Sequence, residues 1–450
     1  MNRADLISKY DIPAPRYTSY PTVPYWESDG FDQHIWAKHV GQAFQKSPEI
    51  SLYLHLPFCE QLCTYCGCNK RITKNHKVET PYLNTLLKEW NIYLEIFGGK
   101  PIIKELHLGG GTPTFFTPQN LKYLLESIFS KAIIPEDPDF SIEVHPNYTT
   151  KEHLHVLAAL GFKRLSAGIQ DFDPKVQIAI NRVQTFEQTK IVFDEARKAG
   201  FTSLNADIIY GLPFQKLESV KGTISKTSVL KPERIAFYSY AHVPWKSKAQ
   251  RRYSEEDLPS ADEKRELYEK GKEMLVAHGY TETGMDHFSL PQDDLYIAMK
   301  EGKMHRNFMG YTVQNTGLLI GLGASSISDS TDCFMQNVKE VEEYEKVVNE
   351  GRLPVLKGHE LTEEDLFIRQ HILDLMCRME TSWDASSESE SFKEGLEKLE
   401  PFIEDNLVVL KEGSLKIKKE GKPFIRNICM CFDARLWRKI PETPIFSKSI

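Results

Sequence analysis

Between about residue 50 and residue 240 the chain alternates short apolar runs with amphipathic segments, which restricts its fold more than any other feature of its 450 residues. Runs rich in apolar and β-branched residues at 51–56, 103–108, 139–144, 164–169, 203–210 and 234–240 read as six strands. The segments between them have readable helix starts. Thr80-Pro81 precedes Leu83, Leu86, Leu87, Trp90 and Leu94 at helical spacing, and Thr117-Pro118 precedes Leu121, Leu124, Leu125 and Ile128. Strict strand–helix alternation implies a parallel α/β sheet, because each right-handed crossover returns the chain in the same direction. Six units suggest an incomplete barrel, although an open doubly wound sheet has the same periodicity.

The pattern changes after residue 330. Thr362 caps the segment EEDLFIRQHILDLM, a second helix covers about 390–404, and NLVVLKEGSLKIKK reads as two strands around Glu412-Gly413. Helices followed by a hairpin predict a mostly helical, winged-helix-like domain, with Pro354 and Gly358 as linker punctuation. The expected division is an N-terminal arm over 1–45, a catalytic barrel over 46–335 and an accessory domain over 336–450. The acidic stretch 387–394 reads as a solvated face.

Composition excludes several classes. With 56 basic and 63 acidic residues the net charge is −7, and no long Lys/Arg run offers the basic surface that nucleic acid requires. No apolar run approaches the ~20 residues of a membrane span, and the start MNRADLISKYDIP lacks a signal-peptide core, so a cytoplasmic location is expected. In that compartment clustered cysteines read as metal ligands rather than disulfides.

Four of the eight cysteines lie in PFCEQLCTYCGCN: Cys59, Cys63, Cys66 and Cys68. Three thiolates at C-x3-C-x2-C spacing on one loop suit a cubane iron–sulfur cluster with one iron left open for a ligand. A structural zinc site is the plain alternative, but neither Cys333, Cys377 nor the Cys429/Cys431 pair makes a second half-site. Gly109-Gly110-Gly111-Thr112 follows the second strand and lets backbone approach a ligand closely. Glu143 and Gln170 end the third and fourth strands, and Gly211-Leu212-Pro213 follows the fifth. In parallel β/α folds such positions share one mouth.

The cysteine spacing, with Tyr65 before the third cysteine, resembles the radical S-adenosylmethionine (SAM) superfamily. The blocks YDIPAPRYTSYPT, YLHLPFC, GGGTPT, SIEVHP, GIQDF, NRVQ, DIIYGLP, HRNFMGYT, GLGASSIS and IRNICMCFD run in order along nearly the whole chain, and together resemble the oxygen-independent coproporphyrinogen III oxidases of haem biosynthesis. The resemblance implies a partial (β/α)6 barrel, a [4Fe–4S] cluster on Cys59, Cys63 and Cys66, and two SAM molecules. Tyr53, Gly110, Glu143 and Ile327 match positions around the first molecule. Tyr65 (phenylalanine in some relatives), Gly111, Thr112, Gln170, Arg182, Asp207 and Ala241 match positions around the second. The implied reaction converts two propionates of coproporphyrinogen III to the vinyls of protoporphyrinogen IX through a 5′-deoxyadenosyl radical. A reductant such as a flavodoxin or ferredoxin and a monomeric state are also implied.

Cys68 sits awkwardly for the same cubane as Cys66, and the family's fourth cysteine is not a ligand. Related haem chaperones usually replace it and lack a segment like Arg16-Tyr17-Thr18-Ser19-Tyr20-Pro21, so retention of both favours the dehydrogenase over a chaperone. An enzyme that opens the haem ring would share the cofactor site and differ in substrate. Arg16 and Arg306 are candidate propionate anchors, and His305 is a candidate proton donor or anchor. The resemblance, with the Pro/Tyr composition of the arm, implies that the arm, up to about Pro24, helps to close the barrel mouth over substrate.

Overall fold

The computed structural model describes residues 3–245, 247–384, 386, 389–443 and 445–449. Ser387 and Glu388 of the acidic stretch lie outside these. The six expected strands are present as β1 (Glu49–Leu56), β2 (Ile102–Gly110), β3 (Asp139–Val144), β4 (Phe162–Gln170), β5 (Ser203–Tyr210) and β6 (Arg234–Ser239). They pair in chain order and in parallel. Between them run α1 (Glu79–Phe97), α2 (Pro118–Phe129), α3 (Lys151–Ala159), α4 (Phe186–Ala199) and α5 (Leu217–Leu230), and α6 (Ala261–Ala277) follows β6. The Thr117 hydroxyl caps α2 by accepting from Asn120 N, with Pro118 at its first position.

The sheet continues on both sides. It gains β7 (Thr281–Gly284) and β8 (His287–Ser289) beyond β6, and β9 (Leu319–Leu322), β10 (Ile327–Asp329), β11 (Cys333–Asn337) and β12 (Val355–Glu360) beyond β1. Because β1 pairs with β9 and β6 with β8, the six-strand unit remains open. Of the two residues expected as linker punctuation, Pro354 lies just before β12 and Gly358 within it. Gly358 is in edge strand β12, where a Cβ would meet the Phe31 ring at 2.1 Å.

Strand alternation explains what the open barrel encloses. Leu52, Leu54, Leu106, Leu108, Phe140, Ile142, Leu165, Leu204, Ile208 and Phe237 bury against the helices in one continuous core. Each such side chain contributes roughly 1.5–3 kcal/mol of burial. The alternate residues, including Glu105, His107, Ser141, Glu143, Arg164, Ser166, Asn205, Asp207 and Tyr238, face a polar lumen. Parallel strands buried on both faces are normally apolar throughout; here the period of two marks an interior kept for ligands. Its groups are paired: Ser51 Oγ donates to Glu105 (2.7 Å), Arg164 meets Asp139 (2.7 Å), and Arg234 meets Asp293 (2.6 Å).

After β12 comes α7 (Glu363–Arg378), begun by a Thr362–Asp365 capping box. The expected second helix is two pieces, Glu390–Glu397 and Glu400–Glu404, with Pro401 near the start of the second. The hairpin strands Val408–Lys411 and Ser414–Ile417 gain a third strand, Glu380–Ser382. The N-terminal arm packs into this unit: Tyr10, Ala14, Tyr17 and Tyr20 share a second core with Ile368, Leu375, Ile428 and Phe432. Arg426 donates to the carbonyls of Ala14 and Pro15, and Tyr17 Oη donates to Asp433 (3.1 Å).

Candidate active site

The cysteine loop leaves β1 at Pro57 and is fastened at several points. Arg71 N donates to Pro57 O (2.8 Å) and Thr73 N to Cys59 O (2.9 Å), closing its base. Thr64 N reaches Ile180 O (2.9 Å), and Asn181 Nδ2 reaches Leu62 O (2.7 Å). Lys70 Nζ donates to the carbonyls of Cys66 (3.1 Å) and Cys68 (3.2 Å). Gly111 N donates to Leu56 O (2.8 Å) and Thr112 N to Phe58 O (3.0 Å), seating the glycine run against the loop.

All four cysteines open on a cavity of about 270 Å³, together with Tyr65, Gly110, Gly111, Thr112, Glu143, Gln170, Arg182 and Asp207. Twelve of the residues singled out from the sequence thus meet at the C-terminal ends of β1 to β5. Glu143, Ser166, Asp207 and Tyr238 also line the polar lumen, a further 240 Å³, so the two spaces adjoin.

Burial pushes the Cys59 thiol up to about 11 and also raises Cys63, with Arg182 acting against the rise at Cys63. A hydrogen bond from Cys68, aided by nearby Lys70, holds Cys66 down at about 6, and the same contact pushes Cys68 well up. Thr112 Oγ1 donates to Cys59 Sγ (3.3 Å), and Arg182 Nη1 lies 3.8 Å from Cys63 Sγ. Among the described residues no three His, Cys, Asp or Glu side chains are drawn together as ligands of one metal ion.

Opposite the thiols are two carboxylates in different states. Burial acts to raise Glu143, but the hydrogen bond and charge of His107 (3.4 Å) and the Gly110 N–H outweigh it and leave Glu143 below its usual value. Burial and the charge of Glu143 push Asp207 up to about 6, although Ser166 Oγ (2.9 Å) and Asn205 Nδ2 (2.7 Å) both donate to it. Arg182 donates from Nη2 to Gly168 O (2.7 Å), while its buried Nε has no partner. Gly110 has φ +111°, and a Cβ there would meet the His55 ring at 2.7 Å.

Three expected cofactor contacts sit beside the cavity. Tyr53 stacks on His107 with centroids 5.9 Å apart, and its hydroxyl bonds His55 Nδ1 (3.0 Å). Ile327 is adjacent through Gly321, which pairs with Tyr53 and whose Cβ would meet Ile327 O at 2.5 Å. Ala241 connects to Tyr65 through Gln250, whose Nε2 donates to both carbonyls (3.2 Å each).

The expected substrate residues do not join this cluster. Arg16 is paired with Asp286 (2.9 Å). Arg306 is buried over the Tyr311 ring and donates to the carbonyls of Arg16 and Tyr17 (3.2 Å each). His305 lies by Arg369 and Asp329, and burial lowers it to about 4. Neither His305 nor Arg306 lines either cavity. Conversely, sequence reasoning passed over His107, Ser166, Asn205 and Tyr238. Their signal was available as polar residues at every second position of apolar strands.

The pattern of the radical SAM superfamily matches residues 53–226. The chain is 38% identical over 444 residues to the oxygen-independent coproporphyrinogen III oxidase of Pseudomonas aeruginosa, covering 96% of each chain. It is 39% identical to the enzyme of that name from Escherichia coli, covering 96% of this chain and 95% of the relative. The solved structure of coproporphyrinogen III oxidase (HemN) from Escherichia coli, described as a radical SAM enzyme, superposes with a TM-score of 0.89 at 37% identity, over 96% of this chain and 98% of that one.

Proposed function

Since the chain belongs to the oxygen-independent coproporphyrinogen III oxidase family of radical SAM enzymes, we propose that it converts coproporphyrinogen III to protoporphyrinogen IX by oxidative decarboxylation of two propionates. A [4Fe–4S] cluster and SAM, when bound, supply the 5′-deoxyadenosyl radical chemistry on which this reaction depends.

The residues of the cavity fit those groups. Arg182 carries the reading: a guanidinium with a buried, unpartnered Nε beside a glycine-edged cavity and three cysteine thiols suits a ligand carboxylate. Glu143 and Asp207 suit an ammonium and ribose hydroxyls, and Gly111, where a Cβ would meet the Pro57 and Phe58 backbone, lets the glycine run lie against the cysteine loop at the cavity edge. Cys59, Cys63 and Cys66 are the proposed cluster ligands. Tyr53, Gly110, Glu143 and Ile327 are assigned to one SAM molecule, and Tyr65, Gly111, Thr112, Gln170, Arg182, Asp207 and Ala241 to a second.

Cys68, which opens on the same cavity as Cys66, is assigned to the substrate step. Arg16 faces substrate from the arm, and Arg306 acts through it as a positioning residue by holding the Arg16 and Tyr17 carbonyls. A flavodoxin- or ferredoxin-like reductant, a monomeric state and a cytoplasmic location complete the reading; among the described residues no helix is long and apolar enough to cross a membrane.

The test is anaerobic reconstitution with iron and sulfide, followed by assay with reductant, SAM and coproporphyrinogen III. Vinyl product and 5′-deoxyadenosine are expected together. Haem binding without either product overturns the reading in favour of a carrier.

A further inference from the structure

A third cavity, of about 470 Å³, lies on the other side of the ends of β5 and β6 from the cysteine cavity. Ile209 and Tyr238 line the cysteine cavity, and Tyr210 and Ser239 line this one, so the same two strand ends separate them. Its walls include Tyr210, Tyr240, Trp245 and Phe446, with the arm and the C-terminal tail closing it. Trp245 is 56% exposed. Two ammonium groups, of Lys264 and Lys448, line this mostly apolar space, and Lys264 Nζ donates to Tyr240 O (3.1 Å).

Three features make the Lys264 ammonium unusual. Three neighbouring cations are matched with carboxylates, Arg16 with Asp286, Lys448 with Asp11 and Arg265 with Glu269, and Arg426 is satisfied by several carbonyls, whereas no carboxylate of the described residues lies within ion-pair distance of Lys264. Lys264 also stands in the first turn of α6, where the helix dipole disfavours a cation. Burial lowers it to about 8, with the charges of Asp11 and Asp286 acting against those of Arg16 and Arg426. Finally, Gly211 has φ +85°, and a Cβ there would stand 2.9 Å from Lys264 Cε. The strand end is therefore shaped around the lysine stem. Gly211 and Lys264 together place a cation on this cavity without an ion-pair partner, since of the carboxylates that line it Asp11 is matched to Lys448 and Glu255 is not within ion-pair distance.

We propose that this cavity is a carboxylate subsite in which Lys264 holds a propionate of the tetrapyrrole that is not reacting, while another propionate occupies the cysteine cavity across the strand ends. The aromatic walls suit a pyrrole face, and Ala241, which lines this cavity and shares Gln250 with Tyr65, marks where the two spaces come closest. This inference rests on the proposed function for its ligand.

The test compares the wild type with K264M, K264Q and K264R in the reconstituted full-length protein. Loss of a charge-assisted contact predicts a KM for coproporphyrinogen III raised by about 10- to 100-fold in K264M and K264Q, with recovery to within about threefold in K264R. The KM for SAM and the iron content remain unchanged. K264M also unfolds at an equal or higher temperature, because it removes an unmatched cation. A lysine that merely braces the Tyr240 carbonyl gives the opposite pattern, with a lower unfolding temperature and an unchanged KM, and overturns the proposal. A shift in the KM for SAM alone also overturns it and assigns the subsite to the methionyl carboxylate. Titration with coproporphyrin III, followed by fluorescence, reads binding apart from turnover. Equal affinity in wild type and K264Q refutes the Lys264 assignment, whereas a wild type that makes no vinyl product refutes the proposed function.

Discussion

Replacing Gly111 by alanine tests how the cysteine loop is held to the rest of the site. A Cβ at Gly111 would lie 2.6 Å from both Pro57 C and Pro57 O and 2.9 Å from Phe58 O. These are backbone atoms, so no side chain can rotate away, and the loop must move by roughly 0.8 Å to reach ordinary contact distance. Three hydrogen bonds cross the same point: Gly111 N to Leu56 O (2.8 Å), Thr112 N to Phe58 O (3.0 Å) and Arg71 N to Pro57 O (2.8 Å). Overpacking costs about 1–3 kcal/mol and a weakened hydrogen bond about 1 kcal/mol. A penalty of about 2–4 kcal/mol on the docked loop follows, or about 30-fold or more in SAM affinity if binding requires the docked form. Gly67 provides an internal control, since it lies between Cys66 and Cys68 and a Cβ there meets nothing within 4 Å. After anaerobic reconstitution, iron and sulfide content and equilibrium SAM binding are measured for both variants. G67A should match the wild type, and G111A should lose affinity and cluster. Equal behaviour of the two would refute the argument that close backbone approach builds this site.

Three other perturbations bear on the site and its support. Cys63→Ala should abolish the ~400 nm absorbance of the reconstituted cluster, whereas Cys68→Ser should retain it and lose vinyl formation; loss of iron in the second variant would make Cys68 a ligand. Asp207, at about 6 in the ligand-free protein, should weaken SAM binding by about tenfold per pH unit below that value, and Asp207→Asn should flatten the profile measured by titration calorimetry. Because its folded value is raised, the stability Asp207 contributes to the ligand-free protein is present below about pH 4 and is lost as pH rises through about 6. Asp365 has the opposite sign: burial would raise it, but the two-pronged contact with Arg435 (2.7 Å each), the nearby His359 ring (3.5 Å) and bonds from Thr362 hold it well below the carboxylate range. Asp365→Asn should cost about 3–5 kcal/mol in urea unfolding near neutral pH, a gap that closes only as pH falls below about 4.

The protein divides its charges between two tasks. Pairs such as Arg164–Asp139, Arg234–Asp293 and Arg435–Asp365 are closed, each carboxylate matched by a guanidinium. Arg182 and Lys264 are the contrasting cases, cations that line cavities and bond backbone carbonyls with no carboxylate of the described residues within ion-pair distance. A buried charge left unmatched is costly, so its persistence beside a cavity points to a ligand rather than to stability.

Local chemistry along the chain determined the six strands, the caps at Thr117 and Thr362, and the grouping of Cys59, Cys63 and Cys66. Strand runs, cap residues and thiolate spacing are decided by near neighbours, and near neighbours can be read in order. Because loops after parallel strands share one end of the sheet, the meeting of Gly110, Glu143, Gln170 and Asp207 was also legible. Tertiary structure alone decided what depends on distant partners. Gly358 became part of an edge strand because Phe31 packs over it, and the arm became part of the second core because Arg426 binds the carbonyls of Ala14 and Pro15. Arg306 is tied to the arm in the same way, through the carbonyls of Arg16 and Tyr17. Lys264 was one charged residue among many on a helix until Gly211, more than fifty positions earlier, was found to lie against its stem. Contacts of that kind leave no periodicity in the chain, because their cost and benefit are realised only when remote segments are brought together.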